Sequence, residues 1–113
     1  GNFPLYPVLV VPGSSSAASV SVGLPLSMPR VGNWESFTVI ARTPVSAASL
    51  TLNVMKNFVS IFDTIGRPNI LGGNTMSSTA SISTKAFVAG DIFTIDVVTG
   101  GSVSDLTILG KAV

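Results

Sequence analysis

W-E-S-F-T-V-I-A-R-T-P-V-S-A-A-S-L-T-L-N-V-M-K-N, Trp34 to Asn57, is the stretch that decides the fold. In its first third, Phe37, Val39 and Ala41 share one face, while Ser36 and Thr38 share the other. In its last third, Leu50, Leu52 and Val54 alternate strictly with Thr51 and Asn53. A period of two places successive side chains on opposite faces, as in a strand with one buried side. Lys56-Asn57 then supplies a hairpin turn before a further strand over Val59 to Thr64. Two strands and a turn in one stretch predict an antiparallel sheet.

The same period recurs outward from this stretch. Asp91 to Val98 sets Phe93, Ile95 and Val97 opposite Ile92, Thr94 and Asp96, and Leu106 to Leu109 follows the Gly100-Gly101 loop. Thr75 to Thr84, built mostly from Ser, Thr, Ala, Met and Ile, reads as one extended strand with a weakly buried face. Short strands about ten residues apart, punctuated by Gly, Asn and Pro, are the mark of a sandwich or barrel. No stretch keeps a 3.6-residue apolar period. The expectation is all-β: an antiparallel, jelly-roll-like sandwich of about seven or eight strands. Its expected core is Phe37, Val39, Leu50, Leu52, Val54, Phe93, Ile95 and Ile108.

Residues 1–30 differ from the remainder. Pro4, Pro7 and Pro12 fall within Gly1 to Gly13, and Pro25 and Pro29 follow. Proline removes a ladder donor, so these segments read as edge strands, turns or an extended arm. The division expected is a proline-rich arm and edge strand over 1–30 and a sandwich over 31–113. F-P-L-Y-P-V-L-V-V-P suits lying along a neighbouring subunit, since proline-rich chain loses less entropy on ordering. Phe3, Leu5, Tyr6 and Val8 are its candidate contacts. The other reading is that Val8 to Val11 forms the first edge strand of its own domain. With the arm packed on a neighbouring subunit or the capsid, deleting Gly1 to Pro12 is expected to leave a folded sandwich that no longer assembles or no longer holds the particle.

Composition narrows function. The 113 residues are 46% hydrophobic and 10% charged, with a net charge of +1. Average domains carry about 25% charge, so a chain this poor in it tends to self-associate. Six basic residues that never cluster disfavour nucleic acid. The longest apolar run, Leu5 to Val11, is short and broken by Pro7, and no membrane partner or secretion signal is expected.

With neither Cys nor His, thiolate nucleophiles, imidazole acid–base chemistry and Cys/His zinc sites are absent. The acids are Glu35, Asp63, Asp91, Asp96 and Asp105. Asp91 and Asp96 have odd spacing on one strand and point to opposite faces of it. Asp91 in A-G-D is expected to accept backbone N–H bonds at the turn. A Ca²⁺ site from Asp91, Asp105 and loop carbonyls lacks any supporting spacing. No serine lies in G-x-S-x-G or S-x-x-K. No catalytic, cofactor-binding or metal-binding residue is assigned, and the chain reads as non-enzymatic. Trp34 has three readings: stacking on a sugar, meeting a partner, or closing one end of the core.

Asn33 to Val113 resembles a β-sandwich module of tailed-bacteriophage virion proteins, found in head-decoration (cement), tail and fibre proteins. The likeness rests on Trp34 to Asn57, on F-V-A-G-D-I-F-T-I-D-V-V (Phe87 to Val98) and on D-L-T-I-L (Asp105 to Leu109). The chain departs from it in having Asn57-Phe58 where many relatives have Asn-Gly, and in a short Gly100 loop. Both departures fall on tips that would carry ligand contacts in an adhesin. The resemblance implies a virion protein assembled in the host cytoplasm, foremost a capsid decoration protein bridging major capsid subunits. It also implies a homotrimer on a capsid three-fold. The alternative it implies is a tail, fibre or baseplate module for host-surface attachment, with a host glycan as partner. A free-standing carbohydrate-binding module needs a stripe of exposed aromatics, which a single Trp does not supply.

Overall fold

The computed structural model describes residues 3–15, 19–99 and 103–113. The first two residues of the expected arm and the Gly100-Gly101 loop lie outside these. The strands are β1 (Val8–Ser15), β2 (Ser19–Ser27), β3 (Gly32–Ile40), β4 (Ser49–Lys56) and β5 (Val59–Ser60), followed by β6 (Asn69–Leu71), β7 (Met76–Thr79), β8 (Ala86–Phe87), β9 (Ile92–Thr99) and β10 (Val103–Ala112). One 3₁₀ turn, Thr64–Gly66, lies between β5 and β6.

First pairs with last throughout: β1 with β10, β2 with β9, β3 with β7 and β8, β4 with β5 and β6, all antiparallel. Rolled up, this nested hairpin gives one sheet in the order β1-β10-β3-β7 with β8 beside β3. The other sheet runs β2-β9-β4-β5 with β6 beside β4. Two four-position sheets filled in this alternating order make a jelly roll. The fold is therefore as expected, with ten strands because β5/β6 and β7/β8 each divide one position. Thr75 to Thr84 is not one strand: its pairing with β3 stops at Thr79. Val59 to Thr64 pairs only through Ser60, after which Ile61 and Phe62 turn into the core.

All eight expected core residues are buried, joined by Leu9, Val11, Ile61, Phe62, Ile70, Phe87 and Leu106 among others. Trp34 lies at one end of this core. Its ring centroid is 4.5 Å from that of Phe37, 5.2 Å from Phe87 and 5.1 Å from Phe93.

β1 and β2 both pair within the sandwich. β1 and β2 are the edge strands of their sheets, where Pro12 and Pro25 need not supply a ladder donor. Leu9 and Val11 point inward and are core. Among the described residues, Phe3 to Pro7 precede the first strand, tied by the Leu5–Ala112 bridge and by Gly110 N–H donating to the Pro7 carbonyl at 2.8 Å. Deleting Gly1 to Pro12 would therefore strip Leu9 and Val11 from the core.

Candidate functional site

Three of the five acids, Glu35, Asp91 and Asp105, are engaged by neighbouring groups. Glu35 meets Lys111 at 3.4 Å and Asp105 meets Arg42 at 3.5 Å, both exposed ion pairs. Asp105 also accepts the Gly13 N–H at 2.8 Å, pinning the bulge where β1 shifts register against β10. Asp91 caps the β8–β9 turn: its carboxylate accepts the Val88 N–H at 2.9 Å and the Asn57 Nδ2 at 3.0 Å. The Val88 backbone bond, then the Asn57 bond, hold its pKa below the ordinary value of 3.8, with Lys56 adding a smaller pull. Asp91 lies just before β9, and Asp105 lies on β10 in the other sheet. Among the described residues, no three His, Cys, Asp or Glu gather in a metal-binding group.

Exposed apolar side chains are the more telling feature. Phe3 is 89% exposed, and Arg30 reaches across to donate to its backbone carbonyl. Leu5, Tyr6 and Pro7 face Leu26, Ser27, Met28 and Pro29 across an apolar hollow of about 290 Å³ between the two sheet edges. Of the candidate contacts, Phe3, Tyr6 and Val8 are exposed, and Leu5 is half-buried. Trp34, at 1% exposure, lies inside and closes one end of the core.

Sequence reading missed a second surface. On the outer face of the β1-β10-β3-β7 sheet, register aligns Val8, Leu109, Thr38 and Ser78 in one row. Val10, Thr107, Ile40 and Met76 form the next. Val8, Val10, Ile40, Leu109 and Met76 are all exposed, and no charge interrupts the two rows. The signal was present: alternation put Ile40 on the polar side of β3, where a water-facing strand wants Ser or Thr.

At the Trp34 end of the sandwich, Asn57 and Phe58 form the two-residue β4–β5 turn with φ of 49° and 68°. Two positive φ values fit a type I′ hairpin, whose second position favours glycine. Phe58 occupies it while remaining 69% exposed.

No family model matches the chain, and no curated protein matches it. Among solved structures, the chain is similar to the catalytic unit of a GH87 α-1,3-glucanase from Streptomyces thermodiastaticus, at 15% identity and TM-score 0.52. That match covers 91% of this chain and 25% of the glucanase chain, so the chain spans about a quarter of it. The SPBc2 prophage-derived protein YomS is similar at 14% identity and TM-score 0.39, with 96% of each chain covered. The cyanophage Pam1 capsid asymmetric unit is similar at 12% identity and TM-score 0.34, covering 100% of this chain and 88% of that one. At 15% identity the glucanase likeness is one of fold alone, and the strand order makes the chain a jelly-roll β-sandwich.

Proposed function

We propose that this chain is a non-enzymatic structural protein of a phage particle, a capsid decoration protein that bridges neighbouring major capsid subunits. The observation that carries the reading is the N-terminal segment. Phe3 and Tyr6 stand in solvent at its head, although a free chain gains nothing by ordering them there. The segment is nonetheless anchored by the Leu5–Ala112 bridge and the Arg30 bond to Phe3, so its aromatic side chains are presented on a fixed backbone. Burying each against a capsid subunit would contribute about 1.5–3 kcal/mol before ordering costs. The sequence resemblance to virion sandwich modules supports the same reading, as does the shortage of charge. Three copies around a capsid three-fold is the arrangement proposed on the particle.

Phe58 favours a second reading, a tail, fibre or baseplate module that attaches to the host surface. Bulky side chains held at positive φ cost on the order of 1–3 kcal/mol and cluster at functional positions.

Co-sedimentation of the purified chain with particles lacking it tests the first reading. The Phe3→Ser/Tyr6→Ser variant should fold as wild type and bind particles at least tenfold more weakly. Binding equal to wild type would remove the N-terminal segment from the contact.

A further inference from the structure

We infer that the outer face of the β1-β10-β3-β7 sheet is a two-fold contact between two copies of this chain. This inference is independent of the phage reading. It rests on how charge and apolar side chains are placed about the middle of that face.

β10 carries Lys111 toward one end of the face and Asp105 toward the other. β3 carries Glu35 beside Lys111, and Arg42, just past its end, stands beside Asp105. The outward positions of β10 are therefore 105, 107, 109 and 111, symmetric about Ile108. Those of β3 opposite 107, 109 and 111 are 40, 38 and 36, and Arg42, two residues past the strand, meets Asp105 through its ion pair, so the set is centred on Val39. Glu35 joins the last row because the β-bulge between Lys111 and Ala112 lets two β3 residues oppose one. Each end thus holds one cation and one anion, and the signs are reversed on each strand between one end and the other.

Turn a second copy over onto this face about an axis that crosses the strands at the level of Ile108 and Val39. β10 then lies over its counterpart and β3 over its counterpart. Lys111 meets the second copy's Asp105, and Glu35 meets its Arg42. Both encounters pair opposite charges, and symmetry repeats each of them. Between the charged ends, Val8 lies over Val10, Leu109 over Thr107, Ile40 over Thr38 and Met76 over Ser78. An isologous contact requires one patch to be its own complement, and this one is so in charge and in apolarity. Sheets packed face to face keep their strands within about 30° of alignment, which leaves these encounters in place.

The exposed ion pairs fix orientation more than affinity. Four strands and four rows span about 14 by 20 Å, a few hundred Å² and well under the roughly 800 Å² per partner of a standard stable interface. The pair is accordingly a weak one, forming in the micromolar range or when neighbouring copies are held close.

Sedimentation velocity from about 1 to 200 µM tests this with two variants. The first exchanges one ion pair, Glu35→Lys/Lys111→Glu, which keeps the intramolecular attraction but sets like charges over Arg42 and Asp105. The second is Arg42→Glu/Asp105→Asn. Asparagine tolerates the positive φ of 52° at this position and retains an oxygen for the Gly13 N–H. Each variant is first shown to keep the wild-type circular dichroism spectrum and melting temperature within a few degrees.

The expected result is a reversible wild-type dimer, at least tenfold weaker self-association of each variant alone, and recovery of the dimer when the two variants are mixed. In the mixed pair, one end joins the first variant's two exchanged side chains to the second variant's. There the new lysine faces the new glutamate, and the other new glutamate faces a neutral asparagine. The opposite end keeps both wild-type encounters. A wild type that stays monomeric throughout overturns the inference. So does any assembly, of whatever size, that the first variant leaves unmoved, or a mixture that fails to recover. Particle co-sedimentation reads the N-terminal segment and is scored separately, so failure of one does not carry the other.

Discussion

A single close approach shows how tightly the end of the core is fitted. Gly110 lies on β10 beneath the Trp34 indole, and a Cβ built there would fall 2.4 Å from Trp34 Cζ3. The ring has no retreat, because Phe37, Phe87 and Phe93 enclose it. Gly110→Ala should therefore destabilise by about 1–3 kcal/mol, the usual cost of overpacking, measured by urea unfolding. Asp91 makes a pH-dependent contribution. Its pKa is lowered in the folded chain, so its stabilisation is fully present above the ordinary value of 3.8 and is lost as pH falls through the lowered one. The stability gap between wild type and Asp91→Ala should be constant from about pH 7 to 5 and shrink below about pH 4. A gap that widens on acidification would contradict the assignment.

At the scale of elements, periodicity carried most of the information. L-T-L-N-V and I-F-T-I-D-V-V alternate because each has one face on the core, and both appear as the central strands β4 and β9. What alternation does not encode is partner choice, so the arm over residues 1–30 had two readings. Prolines exclude central strands but are silent between an edge strand and a free arm. The structure places Leu9 and Val11 inside, which makes β1 part of the fold. The end of Thr75 to Thr84 was equally hidden, since Ser and Thr suit exposed strands and turns alike. The exposure of Phe3, Tyr6 and Val8 was legible because apolar residues among prolines have few places in a core. Trp34 was ambiguous because an aromatic at a strand head serves a core or a surface equally. Deleting Gly1 to Pro12 strips two buried side chains, each worth about 2–5 kcal/mol when truncated, and bares the β10 edge. The truncated chain should lose its cooperative thermal transition by circular dichroism. A sharp wild-type-like transition would restore the arm as a dispensable element.

For the whole molecule, what matters is where apolar surface is left over. The core side chains are buried, yet the N-terminal segment and the outer face of one sheet keep apolar side chains in water, and the sequence has little charge to offset them. A free monomer with that surface is prone to aggregate, whereas a component held in an ordered shell is not. The proposed decoration role requires the chain to be abundant on the particle, since a cement protein binds at repeated lattice points. Its copy number relative to the major capsid protein in purified particles, taken from stained-gel densitometry or quantitative mass spectrometry, is the direct measure of that. A ratio of order one is expected for a capsid decoration protein. A ratio of order one hundredth would place the chain in the tail and contradict the account.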